Sequence, residues 1–146
     1  MEFFNIFKSA HKGFAYLVFL LVIVFIIALI VALTGNSGKI TKFLKKTTLF
    51  TMVLFHIQFL VGISLLFIFS PGFKAALDSG TLMKNEYNRQ TFVEHPFSML
   101  VAAILMTIVN RKVKSSDKVT SGIIILSALA LALFFFAFPF SKVFGG

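Results

Sequence analysis

Four long apolar segments, separated by polar ones, dominate the pattern of hydrophobic and polar positions along the chain. They cover residues 14–34, 47–69, 92–109 and 119–138. A helix needs about 20 apolar residues to cross the hydrocarbon core of a bilayer, and it satisfies its own backbone hydrogen bonds there. The pattern therefore predicts an all-α membrane protein with four transmembrane helices, in a single domain that covers residues 1–146.

The distribution of basic residues predicts how these helices are oriented. The segments that join helices one and two and helices three and four are short and basic, with Lys39, Lys42, Lys45, Lys46, Arg111, Lys112, Lys114 and Lys118. Basic loops favour the cytoplasmic side of a membrane, so both termini are expected on the non-cytoplasmic side. Short connections join antiparallel neighbours, which predicts an up-down-up-down four-helix bundle.

Composition excludes several classes of function. Hydrophobic residues make up 58% of the chain and charged residues only 13%, about half the usual share in a soluble domain, which is about 25%. The sequence contains no cysteine, which rules out disulfides and thiolate metal sites. The net charge of +9 comes largely from the short loops, where it suits lipid headgroups better than nucleic acid. The lipid bilayer is therefore the expected partner, and nucleic acid is not.

Five polar side chains lie in or beside the predicted spans and are the candidate functional residues: His11, His56, Gln58, Glu94 and His95. Ionisable groups inside a membrane are costly and often functional. The sequence has no HExxH, P-loop or GxSxG motif, so nothing in it indicates a soluble-type hydrolase or nucleotide enzyme. Whether the protein is an enzyme stays open at this point.

The depth of each histidine follows from the helical rise of ~1.5 Å per residue. His56 is expected roughly 14 Å, His95 roughly 22 Å and His11 roughly 36 Å from the cytoplasmic ends of their helices. Such a staggered arrangement argues against a three-histidine metal site, whose ligands must converge on one point. Helix tilt could still bring His56 and His95 level, whereas His11 is expected to lie too far out to pair with His56.

Each candidate also has a purely structural explanation. A histidine within the membrane can simply bond a neighbouring helix, as His56 would. Glu94 stands near the predicted start of helix three, where an acidic side chain favours the helix dipole. His11 is explained equally well by contact with lipid headgroups. Gln58 lies about 200° around the helix from His56, so only one of the two can face the bundle centre.

In span order and loop character, essentially the whole chain resembles a known family, the small bacterial four-span membrane proteins often labelled cytochrome b or cytochrome b-like. The resemblance is carried by the sequence FHIQFLVG at 55–62, by FVEHP at 92–96 and by the histidine before the first span. It implies haem b held by helix histidines and electron transfer in the bacterial cytoplasmic (inner) membrane. On this resemblance His56 and His95 are the candidate haem-iron ligands, with His11 as a third option.

Three functions remain open from the sequence. The first is a haem-b electron carrier or a subunit of a redox complex. The second is a non-redox accessory subunit, either of a larger membrane complex or of a homo-oligomer. The third is a proton or ion pathway along His11, Glu94, His95 and His56, with Gln58 as a further polar group. In each case we expect any ligand in the outer half of the bundle, near His56, Glu94 and His95.

Overall fold

The chain folds as a bundle of helices in a computed structural model, which describes residues 2–145. In chain order the helices are α1 (Glu2–Gly35), α2 (Lys42–Ser64), α3 (Pro71–Asp78), α4 (Glu86–Arg89), α5 (His95–Ser115), α6 (Ser121–Ala137) and α7 (Phe140–Phe144). Two π-helical turns, Leu65–Phe69 and Gln90–Glu94, continue α2 and connect α4 to α5. The prediction of an all-helical chain is confirmed for the described residues.

Three helical stretches are long and apolar enough to cross a membrane: Glu2–Gly35, Lys42–Phe69 and Glu86–Ser115. The fourth predicted span corresponds to α6, which is apolar but has 17 residues. At ~1.5 Å per residue α6 is roughly 25 Å long, slightly less than the ~30 Å hydrocarbon core. Length and composition therefore identify three membrane-type helices and one shorter apolar helix.

The long helices pack in chain order, with α1 against α2, α2 against α5, and α5 against α6. The loop after α1 and the loop after α5 are joined by backbone hydrogen bonds, from the Ile40 amide to the Asp117 carbonyl (3.0 Å) and from the Val119 amide to the Gly38 carbonyl (2.7 Å). Gly38 makes this turn possible because its φ of 80° suits glycine. We call this the basic end of the bundle, and the opposite end, which residues 70–91 cover, the capped end.

The core of the bundle is a layer of apolar side chains in close contact. Its central pair is Phe55 from α2 and Phe134 from α6, whose rings stack with centroids 5.4 Å apart. Buried alanines in this core let the backbones of neighbouring helices approach closely, as is common between membrane helices. On α6, however, the inward face consists of Ile123, Ser127, Ala130 and Phe134. Ser121, Ala128 and Ala132 of the same helix are exposed.

The outer surface of the helices is also apolar. Exposed large hydrophobic side chains occur on all four long helices, among them Leu20, Ile27, Leu60, Ile104, Ile125 and Phe136. A soluble monomer rarely exposes apolar patches of this extent, whereas lipid tails cover them at no cost. The surface therefore agrees with the length and composition of the helices in indicating a membrane protein.

Two helix boundaries differ from the sequence prediction in ways that affect the site. α5 continues to Ser115, five residues beyond the predicted loop start at Asn110. At its other end, helical structure begins at Glu86 behind an Asn85 cap, so Glu94 lies inside a continuous helical stretch. The expectation that Glu94 caps a helix is therefore wrong.

Candidate functional site

A large cavity of about 1030 Å³ lies at the capped end of the bundle. Its walls come from α1, α2, α5, the end of α6 and α7, together with both π-helical turns. The polar side chains that line it are Lys8, His11, Lys12, Gln58, Ser70, Tyr87, Asn88, Gln90, Thr91, Glu94, His95, Ser141 and Lys142. Small-molecule and cofactor sites typically measure ~300–1,000 Å³, so the cavity is large enough for a cofactor.

The cavity ends inside the bundle at an apolar floor. Phe134 lines the cavity, and Phe55 stacks behind it on the side toward the basic end. Val22, Phe25 and Met106 are likewise completely buried in this part of the core. The polar groups of the site are therefore gathered at one end of the molecule, over a tightly packed apolar core.

His11 and His95 face each other across the cavity. Their ring centroids are 6.2 Å apart and the ring planes are nearly perpendicular, at 87°. The sequence estimate placed these two residues roughly 14 Å apart in depth, and that estimate is wrong. Half of the error arises because α5 extends five residues further toward the basic end than predicted, which adds about 7 Å to the depth of His95.

His95 has one ring nitrogen fixed by the backbone. Its Nδ1 lies 2.8 Å from the carbonyl oxygen of Ala137, near the end of α6. A carbonyl oxygen only accepts, so Nδ1 must carry the proton and donate it. In the neutral ring the lone pair is then on Nε2, which is the state required of a metal ligand.

His11 is held from α2 by Gln58 and Gly62, which are one helical turn apart. The Gln58 side-chain amide donates a 2.7 Å hydrogen bond to the carbonyl oxygen of His11. Gly62 lies under the imidazole, and a Cβ at this position would come within 3.0 Å of the His11 Cε1. The absence of a side chain at residue 62 therefore lets the ring approach α2 closely.

The rim of the cavity is basic. Lys8, Lys12 and Lys142 line it, and the Lys142 ammonium group lies 4.7 Å from the centre of the Tyr87 ring. Glu94 also lines the cavity, but its carboxylate is already paired with Arg89, whose Nε lies 2.9 Å from Oε1 of Glu94. The positive charge that remains suits a ligand with acidic groups at its exposed edge.

His56 lies outside this site. It is exposed on the surface of the bundle, with Nδ1 2.7 Å from the Met52 carbonyl and Nε2 3.2 Å from the Thr107 hydroxyl. Gln58 takes the inward-facing direction on α2 and is 7% exposed. The structure therefore brings His11 and His95 together but does not bring His56 to either of them.

The helical spacing gives the scale of this separation. Along α2, His56 precedes Gly62 by six residues, or about 9 Å. Along α5, its partner Thr107 follows His95 by 12 residues, or about 18 Å. The contacts of His56 match the structural explanation, a side chain that joins α2 to α5.

Both π-helical turns border the cavity. Leu65 and Leu66 of the first turn and Gln90, Phe92 and Glu94 of the second are among its lining residues. Such turns occur mostly as local bulges and are frequent at functional sites. Here they shift the register of α2 and α5 at the depth where the two histidines meet.

Several lining residues were not singled out from the sequence. Lys8 and Lys12 share one face of α1 with His11, and this spacing was a usable signal. Lys142 was not predictable, because it reaches the cavity only through the fold-back of α7 after Pro139. Within residues 2–145 no cluster of three or more histidine or acidic side chains is arranged to hold a metal ion. The two-histidine arrangement is therefore the feature to be explained.

Comparison of the chain with models of protein families, with characterised proteins and with solved structures gives no match.

Proposed function

We propose that this protein is a small membrane cytochrome that binds one haem b between His11 and His95. The observation that carries the proposal is the pair of imidazoles with centroids 6.2 Å apart in a cavity of about 1030 Å³. His11 thus replaces His56 in the ligand pair suggested by the family resemblance. Haem b, when bound, supplies reversible one-electron transfer.

The distance between the rings supports a bis-histidine site. Metal–imidazole bonds are ~2 Å long, so two imidazoles that held one iron between them would have ring centres roughly 6 Å apart, as His11 and His95 do. The Nδ1–H bond of His95 to a carbonyl leaves its Nε2 free to coordinate. His11 presents a ring that is packed on Gly62 and held by Gln58 through its backbone.

The rest of the cavity suits both the apolar macrocycle and the carboxylates of such a cofactor. Aromatic and aliphatic side chains, including Phe59, Phe134 and Met99, provide apolar walls for a macrocycle. Lys8, Lys12 and Lys142 provide positive charge for its carboxylates at the rim. The same arrangement keeps the apolar part of the ligand inside the bundle and its charged edge outside.

We further propose that α6 is a fourth transmembrane helix, which makes the fold an up-down-up-down bundle in a bacterial inner membrane. Ile125, Leu129 and Phe136 point outward from α6 and are suited to lipid. A span slightly shorter than the hydrocarbon core is accommodated by local thinning of the bilayer. The basic end then faces the cytoplasm, and the cavity and both termini lie on the other side.

The geometry of the site gives less support to the two alternative functions. A proton or ion pathway has to continue from the cavity toward the basic end, and the buried Phe55–Phe134 layer stands in its way. A non-redox accessory subunit of a larger complex, or of a homo-oligomer, remains the second candidate. It is favoured by the exposed His56–Thr107 pair, a polar feature on an otherwise apolar outer surface.

A spectrum of the purified protein tests the proposed function. We expect the protein, expressed with ample haem and purified in mild detergent, to show a sharp reduced α-band and one haem per chain. Haem titration of the colourless protein should give the same spectrum. If neither preparation yields a low-spin haem spectrum, the cytochrome proposal is wrong and the accessory-subunit function takes its place.

The orientation of the chain is a separate prediction. A reporter that is active only in the cytoplasm should be active when inserted near Lys39 and silent when fused after Phe144. The reason is the concentration of basic residues at the basic end of the bundle. The reverse pattern would place the cavity on the cytoplasmic side, and reporter activity at both sites would contradict a fourth span.

A further inference from the structure

Two polar atoms beside the proposed haem site are buried and have no hydrogen-bond partner among residues 2–145: Nδ1 of His11 and Oε1 of Gln58. We propose that Gln58 is a positioning residue, which keeps the His11 proton on Nδ1 and its lone pair on Nε2 by offering its amide oxygen as the acceptor of that proton. This inference rests on the proposed function only for its purpose, since the tautomer of His11 is a property of the protein itself.

The orientation of the Gln58 amide is fixed by its other contact. Its nitrogen lies 2.7 Å from the carbonyl oxygen of His11, and only the NH₂ group can donate there. The amide oxygen must therefore point away from that carbonyl as an acceptor. A buried acceptor that lacks a donor is uncommon in native structures, so a donor is expected next to it.

His11 Nδ1 is the natural source of that donor. The Gln58 side chain is already bound to the His11 backbone, and both residues line the same cavity. Gly62, one turn after Gln58, holds the ring in place, because its Cβ position is 3.0 Å from Cε1 and 3.6 Å from Nδ1. Both atoms are closed to solvent, so a small movement of either side chain lets the Nδ1–H of His11 donate directly to the amide oxygen of Gln58.

The three histidines of the chain differ in how their Nδ1 atoms are satisfied. His56 donates to the carbonyl of Met52, and His95 donates to the carbonyl of Ala137. Only His11 depends on a side chain, so its tautomer can be changed by substitution without altering the backbone. The other two histidines then serve as internal standards.

The experiment measures the tautomers of all three histidines in the haem-free protein. Protein labelled with ¹⁵N-histidine is studied in detergent by long-range ¹H–¹⁵N NMR at mildly alkaline pH, where the rings are neutral. We expect all three to carry the proton on Nδ1 in the unmodified protein. In Gln58→Met, which keeps the size of the side chain but removes both polar atoms, His11 should change to the Nε2–H form.

Two further variants serve as controls. Gln58→Glu should retain the Nδ1–H form, because an ionised carboxyl group keeps an acceptor oxygen for Nδ1–H although it can no longer donate to the His11 carbonyl. Gln90→Met alters another cavity-lining glutamine, one that bonds Glu86, and should leave His11 unchanged. Unchanged His56 and His95 signals show that a variant is folded.

The outcome separates this inference from the haem proposal. An Nε2–H form of His11 in the unmodified protein overturns the positioning role, and so does an unchanged His11 in folded Gln58→Met. If Gln58→Met fails to fold, the unmodified protein and Gln58→Glu still decide the matter by the same criterion. In haem-loaded protein Gln58→Met should raise the midpoint potential, because a ligand without an Nδ1–H acceptor is less basic. A colourless protein with the expected tautomers would retain the inference and refute the cytochrome.

Discussion

Substitution of either His11 or His95 by alanine is expected to abolish the sharp α-band of the reduced protein. The two rings are the pair that the structure brings together, with centroids 6.2 Å apart, and each would supply one of two axial ligands. Loss of a group that merely supports a ligand typically costs ~10–100-fold in metal affinity, so loss of the ligand itself should cost at least that much. Haem content after purification and the difference spectrum measure the effect.

His56→Ala is the matched control for these two variants. His56 is exposed and bonds Met52 and Thr107 rather than any group in the cavity. We expect its substitution to leave the spectrum intact and to cost only the modest energy of one interhelical contact, ~0.6 kcal/mol on average. Loss of the band in His56→Ala together with its retention in His11→Ala would restore the ligand pair suggested by the family resemblance.

The contrast between His56 and His11 shows what the sequence determined and what it did not. The 200° angle between His56 and Gln58 correctly predicted that only one of them faces inward. The sequence could not say which one, because Met52 and Phe59 on one stripe and Thr51 and Phe55 on the other are similarly apolar. Packing decided it, since Thr51, Phe55 and Gln58 all became buried.

Errors at helix ends had the largest effect on the candidate site. Arg111, Lys112 and Lys114 were assigned to a loop, yet they belong to the last turns of α5, where long cationic side chains reach toward water. Depths measured from that point made His95 appear too shallow to meet His11. The shift of five residues in this helix end accounts for half of the error in the predicted depths of His11 and His95.

The role of Glu94 was misjudged for a related reason. A proline at the second position after it suggested a helix start, because proline is common in the first turn. Instead residues 90–94 form a π-helical turn, and helical structure continues without a break from Glu86 to the end of α5. Glu94 is then free to pair with Arg89 at the cavity rim rather than to cap a helix.

The two ends of the bundle also differ in where their buried polar atoms lie relative to the large cavity. Toward the basic end, buried threonines such as Thr48 and Thr51 satisfy their hydroxyls on carbonyls of their own helix. Asn110 Oδ1 and Ser127 Oγ have no partner among the described residues either, but these two residues do not line the large cavity. Toward the capped end, Nδ1 of His11 and Oε1 of Gln58 remain unpaired among the described residues. Among the described residues, the unpaired buried side-chain atoms that belong to the wall of the large cavity are therefore those of His11 and Gln58.

Gly62→Leu is the second substitution with a large expected effect. A Cβ at residue 62 would lie 3.0 Å from Cε1 of His11, and the rest of a leucine side chain would extend further into the space of the ring. The imidazole must then move off α2 and away from its position opposite His95. We expect haem content to fall at least ~10-fold, as for other losses of ligand orientation, while the helical circular dichroism spectrum is unchanged.

Gly13→Leu provides the comparison that makes this result specific. Gly13 lies on α1 two residues from His11, and no atom is within 4 Å of its Cβ position, so the added side chain meets open space. Both variants place leucine in a helix near the same histidine, and therefore share any effect of helix propensity. Equal haem content in the two variants would show that close approach of His11 to α2 is not required. A loss confined to Gly62→Leu would tie haem binding to the one place where α2 lacks a side chain beneath the His11 ring.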